Sequence, residues 1–170
     1  MSEEDFDIIQ HFQDEAYRLY EELDEIVEEL EDHDEYPIDQ LEDFAQKIDR
    51  IMGSAETIHA NDPEIAFVDS IAIICRLCKQ IGYNAKNFQK PELLPIYSAF
   101  WADCLEVLES LTKAIQEPHK LEDQMAYFTR TLEKRLQWLL DKLKESQPED
   151  DSKQVVDQAD IDALLKSLGV

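Results

Sequence analysis

Residues 38–58, Ile38-Asp-Gln-Leu-Glu-Asp-Phe-Ala-Gln-Lys-Ile-Asp-Arg-Ile-Met-Gly-Ser-Ala-Glu-Thr-Ile58, decide the fold. Their apolar positions, Ile38, Leu41, Phe44, Ala45, Ile48, Ile51, Met52, Ala55 and Ile58, recur every three or four residues. That period puts them on one side of an α-helix and the charged residues on the other. Pro37, immediately before, suits a helix's first turn, where its missing N–H costs nothing.

Outward in both directions the same period returns. A first helix is expected from Asp5 to Glu31, with Ile9, Phe12, Ala16, Leu19, Leu23, Ile26 and Leu30 as its stripe. Asn61-Asp-Pro63 gives a cap-and-start signal for a third helix carrying Ile65, Val68, Ile71, Ala72, Cys75 and Cys78. Gly82 to Lys90 reads as a loop. Pro91 opens a fourth helix through Leu94, Tyr97, Trp101, Leu105, Leu108 and Ile115, and Pro118 closes it. A fifth, from Lys120 to Lys144, carries Leu121, Met125, Phe128, Leu132, Leu136, Leu139 and Leu143. With three glycines in 170 residues, little room is left for sheet. The expected fold is all-α: an antiparallel up-down bundle of four helices plus a fifth long helix, occupying residues 1–145. Residues 146–156 are polar and read as an acidic linker. Residues 157–170 read as a short amphipathic docking helix on a flexible tail.

Forty acidic residues against sixteen basic ones give a formal charge of −24, which repels phosphate backbones and anionic lipid and argues against nucleic acid and membrane surfaces as partners. The charge is uneven: residues 1–45 hold nineteen Asp and Glu and a single basic residue, Arg18. Residues 120–145 contain Lys120, Arg130, Lys134, Arg135, Lys142 and Lys144. The two faces can be complementary within the bundle, or the acidic one can meet a basic partner. No secretory leader is evident, and no run reaches the ~18 apolar residues of a membrane span. Cys75, Cys78 and Cys104 are odd in number and sit in apolar stretches, so buried reduced thiols are expected. Cys75-Arg-Leu-Cys78 lacks the further ligands zinc needs, and no metal site is expected. The localisation these features imply is cytoplasmic.

In the tail, Ile161, Leu164, Leu165 and Leu168 fall at i, i+3, i+4 and i+7; Asp157 or Asp160 can cap the start and Gly169 can end it. A helix of about three turns is marginal alone in water, so the stripe orders against a partner's groove or folds back onto its own domain. The string Asp157-Gln-Ala-Asp-Ile-Asp-Ala-Leu-Leu-Lys-Ser-Leu-Gly-Val170 resembles the C-terminal peptide of the CheZ family of chemotaxis phosphatases. It is also similar to an N-terminal segment of the flagellar switch family FliM. Val170 departs from the aromatic that ends the CheZ peptide. The resemblance implies a CheY-like response regulator as partner, bound through Asp160, Ile161, Leu164, Leu165 and Leu168.

Gly53 lies inside the second helix, where glycine costs about 1 kcal/mol relative to alanine. Either two helices approach closely there, or the small residues clear room beside a reactive side chain. The run Asp49-Arg-Ile-Met-Gly-Ser-Ala55 resembles the phosphorylated helix of histidine phosphotransfer (HPt) domains. On that resemblance Gly53, Ser54 and Ala55 match the family's small residues. Met52 stands where lysine is usual, and Asp49 stands in place of the phospho-histidine. The implication is a phosphotransfer fold without phosphotransfer. None of His11, His33, His59 or His119 has the small-residue signature, and surface positions are expected for all four.

The CheZ resemblance further implies a helical acidic residue followed four positions later by a glutamine whose amide orients water for attack on an aspartyl phosphate. Glu42 and Gln46 have that spacing, as do Glu133 and Gln137, which remain the alternative pair. No cofactor of the chain's own is implied, since magnesium would be held by the bound response regulator. The expected function is a chemotaxis-type regulator that dephosphorylates or sequesters a CheY-like protein. A non-catalytic acidic helical adaptor or scaffold, with a link to the flagellar switch, stays open, as does homodimerisation.

Overall fold

The computed structural model describes residues 3–30 and 35–116, together with Lys134 and Trp138. Four α-helices account for most of it: α1 (Glu3–Glu29), α2 (Ile38–Asn61), α3 (Val68–Phe88) and α4 (Leu94–Ala114), with a single 3₁₀ turn at Pro91–Leu93 leading into α4. No strand occurs among the described residues. Each helix packs on two neighbours, in the cyclic order α1, α2, α3, α4 and back to α1. Cross-helix contacts fix the directions. Arg50 of α2 pairs with Glu15 of α1, and Lys47 with Glu22 at 3.3 Å. Lys79 of α3 pairs with Asp49 of α2 at 2.5 Å and Lys86 with Glu42. Ser98 of α4 donates to the Val27 carbonyl of α1 at 3.1 Å. In each pair the numbers rise on one helix as they fall on the other, so the bundle is all-α, antiparallel and up-down.

The expected stripes form the core. Ile9, Leu23, Leu30, Phe44, Ile48, Ala55, Ile71, Cys75, Cys78, Ile81, Tyr97, Cys104 and Leu108 are fully buried. At its centre the Phe44 and Trp101 rings stack at 4.3 Å, and Tyr97 stacks on Trp101 at 5.8 Å. Offset aromatic pairs of this kind add to what burial alone contributes. Tyr20, wholly buried, shares a 2.9 Å hydroxyl–hydroxyl hydrogen bond with Thr112, and the Gln13 amide donates to the Thr112 carbonyl at 2.7 Å. Burial drives the Tyr20 and Tyr97 phenols well above the ordinary tyrosine range and raises that of Tyr36 to about 12. The Tyr36 hydroxyl donates to the Ala85 carbonyl at 2.7 Å.

Three boundaries differ from expectation. Asp62-Pro63 ends α2 and does not begin α3. Asp62 is extended, as the residue before proline prefers, and its carboxylate accepts the Glu64 N–H at 3.0 Å. α3 starts only at Val68, after Phe67 takes a left-handed conformation with φ 66°. Ile65 and Phe67 pack partly against the core, which holds that short connection in place. Conversely, the segment read as a loop from Gly82 is helical to Phe88 and closes at Gln89, φ 45°. Gly82 is buried, and a Cβ there would lie 3.8 Å from Trp101 Cζ2. Close helix–helix approach, one of the two alternatives read for Gly53, is met at Gly82 instead, where such a Cβ would be in ordinary van der Waals contact.

Candidate functional site

Along α2, Glu42, Gln46, Asp49 and Gly53 follow at i, i+4, i+7 and i+11. All four are exposed, so the two motifs read separately from the sequence share one solvent-facing stripe. α3 supplies the cations beside it. Lys79 and Lys86, two turns apart, reach across to Asp49 and Glu42 respectively. The hydrogen bond from Lys79 to Asp49 raises the ammonium pKa. Gln46 sits between the two ion pairs, and among the described residues its amide makes no hydrogen bond. The result is one carboxamide open to solvent between two neutralised carboxylates.

At its C-terminal end the stripe borders an open groove of about 840 Å³ between α1 and α2. Its walls include His11, Arg18, Asp49, Arg50, Gly53 and Ser54, with Ile8, Phe12 and Ile58 at the apolar end. Gly53 is exposed, and a Cβ built on it meets nothing within 4 Å. Of the two alternatives read for Gly53, close helix–helix approach is not made there: the small residue leaves open surface. Met52, half-buried, turns toward the core, and Ser54 lines the groove. The Thr57 hydroxyl bonds back to the Gly53 carbonyl at 2.8 Å. Both arginines of the groove are paired, Arg50 with Glu15 and Arg18 with Glu22, so no free guanidinium points into it.

Asp49 has no residue beside it that would make it a phosphoryl carrier. An ion-paired carboxylate lacks the neutral nitrogen nucleophile of imidazole. No group of three or more His, Cys, Asp or Glu among the described residues could hold a metal ion. His11 lies exposed on the groove wall, a placement the helical period alone did not reveal. His59 departs from the expected surface position: it is partly buried in the last turn of α2, and its Nδ1 is enclosed without a partner. His33 and His119 lie outside the described residues, as do Glu133, Gln137, the linker and the docking residues Asp160, Ile161, Leu164, Leu165 and Leu168.

Cys75, Cys78 and Cys104 are free and buried between α3 and α4, as expected. Burial pushes the Cys75 and Cys78 thiols well up, which makes them unreactive. No helix among the described residues is long and apolar enough to cross a membrane. No family model, no curated protein and no solved structure matches the chain.

Proposed function

We propose that this bundle binds a CheY-like response regulator through its C-terminal peptide and uses the exposed α2 stripe to promote loss of the regulator's aspartyl phosphate. The observation that carries the reading is Gln46, an unbonded amide on a rigid helix, flanked by carboxylates already neutralised by α3 lysines. An amide can accept from and donate to one water at once and so fix its angle of approach. Orientation of that kind lowers a barrier without a covalent intermediate. The regulator would bring its own metal and phosphoryl group. Pairing of Glu42 and Asp49 removes two negative charges that would repel an incoming phosphorylated aspartate.

The tail supplies proximity. A tether of about eleven residues (146–156) would span roughly 18 Å as a coil, which would hold a tail-bound regulator at millimolar effective concentration near the bundle. A weak contact at α2 then suffices.

The test mixes the purified full-length chain with a phosphorylated CheY-type regulator and follows phosphate release. Acceleration abolished by Gln46→Ala and weakened by deletion of residues 157–170 is the expected result. Acceleration untouched by Gln46→Ala but lost with Gln137→Ala would move the site to the alternative pair. Tail-dependent binding without acceleration would make the protein an adaptor, and absence of binding would remove the whole reading.

A further inference from the structure

The lysine–carboxylate pairs fix how α2 and α3 face each other. Glu42 meets Lys86 and Asp49 meets Lys79, so the stretches 42–49 and 79–86 run antiparallel between the same two ion pairs. In that register Gln46 stands level with Gly82, one residue, or about 1.5 Å, from Tyr83 along the axis. Tyr83 follows Lys79 by four positions and precedes Lys86 by three, so it lies on the face from which both lysines reach α2. The two stripes form a short ladder with an ion pair at each end and Gln46 opposite Tyr83 in the middle.

Tyr83 is 53% exposed, and among the described residues of α2, α3 and α4 it is the sole exposed large hydrophobic. Its hydroxyl makes no hydrogen bond with any described residue. Gly82 and Asn84 on either side are buried, so the backbone that carries the ring is firmly seated. A single exposed aromatic needs no explanation by itself. Its place opposite the open amide gives this one a role.

We propose that Tyr83 is the aromatic anchor on which the regulator's phosphorylated face docks, setting the position from which the Gln46 amide meets the attacking water. Tyr83 takes this role only if Gln46 works on a regulator's aspartyl phosphate, the function proposed above. Packed helices lie about 8–10 Å apart, whereas a globular partner covers a patch of roughly 800 Å² on each side. A regulator that reaches Gln46 therefore covers Tyr83 as well. The ladder also has the layout of a docking face, with uncharged groups at the centre and charged ones at the rim. Tyrosine offers a large, stiff contact with only two side-chain torsions to order, and such residues dominate the energy of interfaces.

The experiment keeps the full-length chain and maps the contact from both sides of the ladder. Gln46→p-benzoylphenylalanine and Tyr83→p-benzoylphenylalanine are each irradiated with a CheY-type regulator in its magnesium–beryllofluoride form, a stable stand-in for the aspartyl phosphate. Adducts from both positions to the regulator's surface around that aspartate are expected. Phosphate release is then followed with Tyr83→Ala and Tyr83→Phe. Because the tail sets half-saturation, Tyr83→Ala should lower the maximal rate about tenfold and leave the half-saturating regulator concentration within about twofold. Tyr83→Phe keeps the ring and should stay within about twofold of wild type. Adducts from position 46 but none from 83, a loss under about threefold in Tyr83→Ala, or an equal loss in Tyr83→Phe would overturn the anchor while the Gln46 reading stands. Adducts from neither position, or no acceleration by the wild-type chain, would remove both.

Discussion

Replacing Gly53 by alanine should stabilise this protein, and the size of the gain follows from the geometry. The residue is in the interior of α2 and exposed, and a Cβ there meets no atom within 4 Å. No contact is lost and no neighbour has to move, so the change reduces to helix propensity, about 1 kcal/mol in favour of alanine. For a domain of this size that corresponds to a rise in Tm of roughly 3–4 °C. Urea unfolding monitored by circular dichroism reads it directly, as a higher midpoint at unchanged slope. Gly82 provides the contrast. A Cβ there already touches Trp101 Cζ2 at 3.8 Å, so Gly82→Leu should overpack the core and cost about 1–3 kcal/mol, whereas Gly53→Leu should cost nothing. A loss of stability in Gly53→Ala would refute the open-surface account of that position. If the glycine keeps the α2 face flat for a partner, Gly53→Leu should also weaken regulator binding while the fold gains stability. Stabilisation with undiminished binding would leave Gly53 without a functional role.

Glu109→Gln should raise stability at neutral pH. Burial, then repulsion from Asp24, Glu106 and Glu21, holds the Glu109 pKa above its ordinary value of 4.5. The folded state therefore keeps that proton longer than the unfolded chain, and stability falls as pH rises from 4.5 through the raised value. The variant's advantage should be present above that window and vanish below pH 4.5, and an advantage independent of pH would contradict the assignment. Thr112→Val should destabilise by about 1–3 kcal/mol in thermal or urea unfolding, because it leaves the buried Tyr20 hydroxyl without its partner. A neutral result would mean that Tyr20 finds another acceptor. Cys75, Cys78 and Cys104 should resist Ellman's reagent in the folded protein and all react in denaturant, and prompt labelling of any one would contradict their burial.

The bundle was legible because its signal is redundant. Every described helix carries five or more apolar residues at the helical period, and the burial of Leu41, Phe44, Ile48, Ile51, Ala55 and Ile58 follows directly from it. Boundaries were less legible, since they depend on what surrounds a residue. Gly82 looks like a loop opener until Trp101 stands against it, and Asp62-Pro63 looks like a start until Asp62 is extended and spends its carboxylate on Glu64. In the candidate site, the spacing of Glu42, Gln46, Asp49 and Gly53 already implied a common face. The lysines that neutralise it did not show, because Lys79 and Lys86 lie 30 and 44 residues away and meet α2 only through the antiparallel register. His11 joined the groove for the same non-local reason.

Those lysines also decide what the α2 stripe is suited for. Across α1, α2 and α3 the cations are committed: Arg50 to Glu15, Lys47 to Glu22 and Asp43, Arg76 to Glu56, Lys79 to Asp49 and Lys86 to Glu42. Between α1 and α4, by contrast, Glu21, Asp24, Glu28, Glu106 and Glu109 make no ion pair with any described residue. Burial first, and their mutual repulsion after it, raise the Asp24 and Glu109 carboxyls. A chain of charge −24 therefore presents two unlike sides. The α1–α4 side repels anions at range, while on the α2–α3 side Glu42 and Asp49 are neutralised in place with the open Gln46 amide between them. The acidic, phosphorylated partner proposed above would meet the least repulsion on the α2–α3 side. That asymmetry predicts that Lys79→Glu together with Lys86→Glu, which extends the negative field around Gln46, should slow phosphate release from a bound regulator far more than charge reversal at Arg18. Equal effects from the two changes would mean that the regulator does not approach along α2.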